Sequence, residues 1–307
     1  MSREQTRRRC VAVSAVREIV SAMRAIAAGR IQGAQRALQS ARQYHAIVMR
    51  GIAALLSEWP LPALSALPSQ PTALLVMTSE QPFCGTFNQD VLALAESRWR
   101  DLAQGERSQL MVVGQRGLRQ LLAHGLVPDH GEPAATSLAG IHDLVKRLAI
   151  LIGRHYASGE IRSLRVIFNR YKSINEQIPT EVQVLPPDLS PAGKPGWAPG
   201  TRFHRYLAEP DLLAGLIDEY AFVSLYLLAV ESYTSEQSSR LVAMDNSTRN
   251  TESMLEVLLD RDRRERQDLI TREVMDLIAA RFAVEGIDTG NSQVSNVLVS
   301  GLRDRVK

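Results

Sequence analysis

Between residues 13 and 55 the chain has no proline, and apolar or small side chains recur at Val13, Val16, Val20, Met23, Ala27, Ile31, Ala34, Leu38, Ala41, His45, Val48, Ile52 and Leu55. The steps alternate between three and four. One extra step of four, Ala27 to Ile31, interrupts the heptad-like seam and locally relaxes a supercoil. The pattern predicts one helix of roughly 80 Å, at about 1.5 Å per residue. Trp59, Pro60, Pro62 and Pro68 end it, since each proline removes a donor and disfavours helix in the residue before it.

The period then changes. Residues 72–78 (TALLVMT), 109–113 (QLMVV), 163–171 and 177–185 read as strands, and 88–103, 116–123 and 141–156 as helices. Strands alternating with helices predict a parallel sheet covered on both faces, with the last two strands close enough for an antiparallel hairpin. A loop rich in proline and glycine covers 186–200, and 203–207 offers an edge strand.

From Pro210 a second helical pattern runs to about Val284, with Gly215 as its only glycine. Its seam passes through Leu216, Tyr220, Val223, Leu227, Val230, Thr234, Gln237, Leu241, Met244, Thr248, Thr251, Leu255 and Leu258, and its middle is polar. A helix of roughly 110 Å cannot fold back inside a domain of this size, and its only long partner is the first helix. The expected fold class is therefore α/β: a long antiparallel coiled coil of the N- and C-terminal helices with an inserted Rossmann-like α/β domain. Its parts are 1–58, a coiled-coil helix; 70–208, the inserted domain; 210–284, the second coiled-coil helix; and 285–307, an extension whose structure stays open, since Gly286, Gly290, Asn291 and Gly301 interrupt a clean helix while Val294, Val297, Leu298 and Leu302 make a short amphipathic stripe.

Composition supports long helices: aromatic residues make up 5%, while Ala, Leu, Arg, Glu and Gln are frequent. A formal charge of +3 gives no whole-protein field suited to nucleic acid, which is not expected as a partner. Three readings stay open for Arg3, Arg7, Arg8 and Arg9: a solvated helix start, a DNA or lipid contact, or acidic residues of a partner. Cys10 and Cys84 are too far apart to suggest a disulfide framework or metal pair. The start lacks an apolar signal core, and the richest apolar stretch, 220–230, is closed by Asp218, Glu219 and Glu231. A soluble or peripheral protein is expected.

Chemistry is sparse. No phosphate loop of the Walker type, His-Glu-x-x-His helix or Cys-x-x-Cys pair occurs, and neither a cofactor nor a catalytic residue is expected. Gly114 and Gly117 (VVGQRG) follow a strand and precede a helix, where a phosphate can sit, but a third glycine and a downstream acid are lacking, so a structural turn is the better reading. Cys84, in FCGTFN (83–88), reads as a small buried turn residue, with Asn88 able to cap the next helix.

The two ends of the chain resemble one family. Residues 19–30 (IVSAMRAIAAGR), 235–244 (SEQSSRLVAM) and 266–273 (RQDLITRE) are similar to signatures of the gamma subunit of F-type ATP synthases, and FCGTFN is similar to its Leu-Cys-Gly-Gly-Leu-Asn motif. Glu80-Gln81-Pro82, Thr86 and Ala280-Arg281 depart from the family pattern, which implies a divergent or alternative branch.

The resemblance implies a central-stalk rotor subunit, without catalytic residues of its own, that couples ion translocation through a membrane ring to ATP synthesis or hydrolysis. Implied partners are the alpha and beta subunits of a catalytic hexamer, the epsilon subunit and the membrane c-ring, with one copy per complex at the cytoplasmic face of the bacterial inner membrane. Also implied are partner contacts by Met23, Arg24 and Arg30 in the first helix and by Arg240, Arg266, Gln267, Thr271 and Glu273 in the last. For each, the competing reading is an exposed helix residue. A non-rotating coiled-coil scaffold derived from such a subunit is the alternative function, and a nucleotide enzyme built on the sheet a weaker third.

Overall fold

The computed structural model describes residues 3–59, 70–102, 108–187 and 206–303, with side chains at all of these except 58 and 282–303. Ten elements follow in order: α1 (Arg3–Glu58), β1 (Thr72–Met77), α2 (Phe87–Leu102), β2 (Gln109–Val113), α3 (Gln115–Ala123), β3 (His130–Glu132), α4 (Leu138–Ala157), β4 (Ser163–Tyr171), β5 (Gln177–Leu185) and α5 (Glu209–Arg303). Packing divides them into two units, residues 20–246 and residues 1–19 with 247–307.

The larger unit holds a five-stranded sheet in the order β3-β2-β1-β4-β5. β1 pairs in parallel with β2 and β4, β2 in parallel with β3, and β4 antiparallel with β5. Alternation along β1 sends its side chains to both faces. Ala73, Leu75 and Met77 face a core shared with Ile141, Leu144 and Leu148 of α4, Leu225, Leu228 and Val230 of α5, and Ala34 and Leu38 of α1. Leu74 and Val76 face the opposite side, against Val91, Leu92 and Ala95 of α2 and Leu121 of α3. The doubly covered sheet predicted from the pattern is thus present. β3 was not predicted: three residues, His-Gly-Glu, carry no apolar alternation, and only the parallel pairing with Met111, Val112 and Val113 makes them a strand.

α1 and α5 run antiparallel within this unit, with Arg24 bonded to Asp245, Arg42 to Glu231 and Tyr44 to Glu219. The buried residues of α1 here are those of the predicted seam, Ala27, Ile31, Ala34, Leu38, Ala41, Val48, Ile52 and Leu55, joined by Ala53 and Ala54. Two alanines, Ala27 and Ala34, are fully buried, so small side chains set a close helix approach. An apolar stretch of α5 is long and apolar enough, by length and composition, to cross a membrane, yet Val223, Leu225 and Val230 are buried against the chain's own core.

Two expectations about the C-terminal part are corrected. α5 does not end near residue 284 but continues through Gly286 and Gly290 to Arg303. An isolated glycine costs a helix only about 1 kcal/mol, which propagation from a long preceding helix absorbs. Of the predicted edge strand at 203–207, the first three positions lie outside the described residues, and Tyr206 and Leu207 form a bend. Most of the 186–200 loop also lies outside them.

Candidate functional site

α5 carries a run of polar residues that the fold buries. Ser232, Thr234, Ser235, Glu236, Gln237, Ser238 and Arg240 are each at most 7% exposed. Buried polar groups need partners, and most of these have one. Thr234 and Ser238 donate to carbonyls one turn back on α5, at 2.7 Å to Val230 and 2.9 Å to Thr234. Two further serines reach the sheet and the loop after β1. Ser235 Oγ donates to the Asn169 carbonyl at the end of β4 (2.7 Å), and Ser239 Oγ to the Cys84 carbonyl after β1 (2.8 Å). Asn169 Nδ2 in turn donates to the Phe87 carbonyl at the start of α2 (2.8 Å).

These contacts fall at the carboxyl ends of β1 and β4. Because β2 lies on one side of β1 and β4 on the other, this is the topological switch point, where an open α/β sheet places a ligand crevice. Here α5 fills it. Arg240 and Glu236 form a buried ion pair at 2.6 Å, and Arg240 Nη2 also approaches the Gln81 carbonyl at 3.4 Å. Burial raises the Glu236 pKa, against the opposing pull of Arg240 and Arg30. Burial likewise raises the Tyr233 pKa, against the pull of Arg30 on α1.

The loop after β1 is shaped to receive α5. Phe83 and Gly85 adopt left-handed conformations, φ 67° and 56°, and Cys84 is tucked beneath them, with its Sγ 3.4 Å from both Ser79 Oγ and Asn88 Nδ2. Burial raises the Cys84 pKa, which disfavours the thiolate a nucleophile needs and agrees with a packing role. Asn88 does not cap α2 as expected. It lies within the helix, where Oδ1 accepts from Ser79 N at 2.9 Å and Nδ2 donates to Ser79 Oγ at 2.9 Å, so it holds the loop instead.

The glycine turn before α3 is structural. Gly114 has φ 104°, and a Cβ on Gly117 would lie 2.3 Å from Thr78 Oγ1, so both glycines allow α3 to close on β1. The anion position at the start of α3 is taken by a carboxylate of the chain itself: Glu80 Oε2 accepts from Gln115 N at 3.2 Å and from Ala134 N at 2.9 Å.

The residues singled out from the sequence separate into two groups. Met23, Arg24 and Arg30 are partly buried on α1 in the larger unit, with Arg24 held 3.0 Å from Asp245. Arg240 belongs to the same unit, but at 4% exposure it is enclosed by its own chain, so a direct partner contact does not fit this conformation. In the smaller unit Arg266, Gln267, Thr271 and Glu273 are all exposed on α5, and Thr271 Oγ1 donates only to the Gln267 carbonyl. Sequence reasoning missed Ser235, Ser239, Asn169 and Glu80. The signal for the first two was present, since small hydroxyl residues one helical turn apart allow a backbone to approach and be bonded.

Residues 2–284 match the family described as ATP synthase. A gamma chain of ATP synthase from Paracoccus denitrificans is 31% identical over 295 residues, covering 92% of this chain and 99% of that one. This chain belongs to the ATP synthase gamma-chain family. The gamma chain of Dinoroseobacter shibae is 30% identical over 286 residues, covering 90% and 97%. Among solved structures, a central stalk and c-ring assembly of Tetrahymena thermophila mitochondrial ATP synthase contains a chain that matches at TM-score 0.53 and 18% identity, covering 74% of this chain and 98% of that chain. A chain of the Euglena gracilis mitochondrial enzyme matches at 0.50 and 14%, covering 84% and 95%. At these identities the two structures bear on fold, and they agree with a gamma-chain architecture of terminal helices and an intervening sheet.

Proposed function

We infer that this chain is the central-stalk rotor of an ATP synthase, which couples ion flow through a membrane ring to ATP chemistry on an alpha-beta hexamer while holding no catalytic residue itself. The observation that carries this reading, beside family membership, is a bare stretch of α5. Every residue from 266 to 281 is exposed, including Leu269, Ile270, Val274, Met275, Leu277 and Ile278. An apolar helical surface of this extent marks a place for a partner. A sleeve of alpha and beta subunits around it meets that need, with Arg266, Gln267, Thr271 and Glu273 supplying polar contacts and Met23, Arg24 and Arg30 meeting a beta-subunit lever. Epsilon and the c-ring are the proposed partners of the sheet-bearing unit, at the cytoplasmic face of the bacterial inner membrane.

Coupling requires that the rotor contact successive conformations of the beta subunits unequally, since a ligand with equal affinity for two states shifts neither. Arg240 takes a different part from the one expected. Its guanidinium, held by Glu236 on the same helix, approaches the Gln81 carbonyl, and together with the bonds from Ser235 to Asn169 and from Ser239 to Cys84 it fastens α5 to the ends of the strands, so force applied to this helix within the unit reaches the sheet through buried contacts.

The test is ATP hydrolysis by the alpha-beta hexamer of the same source, with and without the purified chain, alongside size-exclusion chromatography. A one-to-one complex with stimulated, sustained turnover is expected, reduced in Arg266→Ala/Gln267→Ala without loss of binding, because exposed polar contacts contribute only about 0–1 kcal/mol each. A complex whose hydrolysis ignores the chain would instead establish a static scaffold.

A further inference from the structure

Within the unit of residues 20–246 a cleft of about 370 Å³ lies among α1, α5 and strands β4 and β5. That volume falls in the range of roughly 300–1,000 Å³ that holds small organic ligands. Val182 and Leu227 give it partly exposed apolar walls, backed by the buried Phe168, Val184, Tyr220 and Leu228. Its polar groups are few and distinct. Arg42 is committed to Glu231 at 2.6 Å, and the Glu231 carboxylate is buried. Arg170 is exposed and has no carboxylate partner among the described residues. His45 lies against the Tyr220 ring at 5.6 Å, and burial lowers its pKa, so it is a neutral hydrogen-bonding group at pH 7.

The decisive group is Ser224. It is 5% exposed, lines the cleft, and its Oγ has no hydrogen-bond partner. Thr234 and Ser238 on the same helix relieve this condition by donating to carbonyls one turn back, and Ser224 does not. A buried hydroxyl left without a partner points to one supplied from outside the chain.

We propose that this cleft binds a small amphipathic anion with a single acidic group. Its carboxylate or phosphate pairs with Arg170, its aromatic or aliphatic body lies along the partly exposed Val182 and Leu227, and Ser224, once its Oγ turns into the cleft, bonds a further polar atom. Glu231 disfavours a second acidic group. The site is independent of the rotor reading, since none of its residues is among those proposed to meet the hexamer.

The experiment is titration calorimetry and saturation-transfer NMR on the full chain with four probes: benzoate, phenyl phosphate, benzyl alcohol and inorganic phosphate. Benzoate or phenyl phosphate is expected to bind saturably at or below about 1 mM, and benzyl alcohol and inorganic phosphate at least about tenfold more weakly. Arg170→Glu, at an exposed position, is expected to weaken binding about tenfold or more with an unchanged melting temperature, and Ser224→Ala several-fold. Absence of saturable binding by both aromatic acids below about 10 mM would overturn the proposal. So would affinity unchanged in both variants, or inorganic phosphate binding as tightly as phenyl phosphate.

Discussion

Replacing Arg240 with methionine retains an unbranched stem in the space the arginine fills and removes the charge. Glu236 is then left 7% exposed without the guanidinium that stood 2.6 Å away. If it stays ionised, the uncompensated charge costs about 3–5 kcal/mol. It can escape by taking up a proton. For a carboxyl of ordinary pKa 4.5, protonation at pH 7 costs about 3.4 kcal/mol, at about 1.36 kcal/mol per unit, and about 0.7 kcal/mol at pH 5. R240M is therefore expected to lose about 3 kcal/mol at pH 7 and under about 1 kcal/mol at pH 5. The direction follows from linkage. Burial holds the folded pKa of Glu236 above its unfolded value, so the carboxyl's stabilising contribution is complete below pH 4.5 and is lost as pH rises through the folded value. Removing Arg240 raises that value further and deepens the loss. Urea unfolding at both pH values, followed by fluorescence of Trp99 in a Trp59→Phe/Trp197→Phe background, reads the relevant unit, because Trp99, on α2, packs against the core of that unit. The double variant Glu236→Leu/Arg240→Met should recover most of the loss. A penalty of equal size at pH 5 and pH 7, or a double variant as unstable as the single, would refute the buried-charge argument.

Gly117→Ala places a Cβ 2.3 Å from Thr78 Oγ1. It should cost about 1–3 kcal/mol, seen as a lower melting temperature. Glu80→Ala strips the acceptor from the amides of Gln115 and Ala134 and should cost about 1–3 kcal/mol. Hydrogen exchange at those two amides should accelerate more in Glu80→Ala than in Glu80→Gln, which keeps an acceptor oxygen. Ala34→Leu forces a branched side chain into a fully buried position where α1 meets the core, and a loss of about 1–3 kcal/mol in chemical unfolding is expected.

The fold was legible wherever burial follows a simple period. From Ala27 to Leu55 the three-four seam of α1 marks most of the buried residues, whereas nearer the start Val16 is exposed, and β4 and β5 begin and end where alternation and turn residues place them. Legibility failed where tertiary contact overrides local chemistry. β3 exists only through its pairing with β2, and α5 passes through glycines whose local cost is small beside the length already formed. The candidate site was half readable. Arg266, Gln267, Thr271 and Glu273 stand exposed, which leaves both the contact and the plain surface reading open to them, whereas Arg240, polar in the sequence, is buried. A polar seam does not by itself say whether it faces water or a neighbouring loop. The absence of long apolar side chains among Ser235, Ser238 and Ser239 was the indication that backbone would approach there.

One face of the sheet is covered by residues from opposite ends of the polypeptide, Ala34 and Leu38 on one side and Leu225, Leu228 and Val230 on the other. During synthesis the strands and α4 leave the ribosome long before α5 does. Until α5 arrives, Leu75, Met77 and Phe168 lack part of their cover, and the nascent chain presents an apolar sheet to its surroundings. Completion of this core is thus a late, long-range event, slow by the measure of contact order. Truncation within α5 before residue 225 would therefore release a chain whose sheet is half-clothed, and which a chaperone would hold or a protease remove.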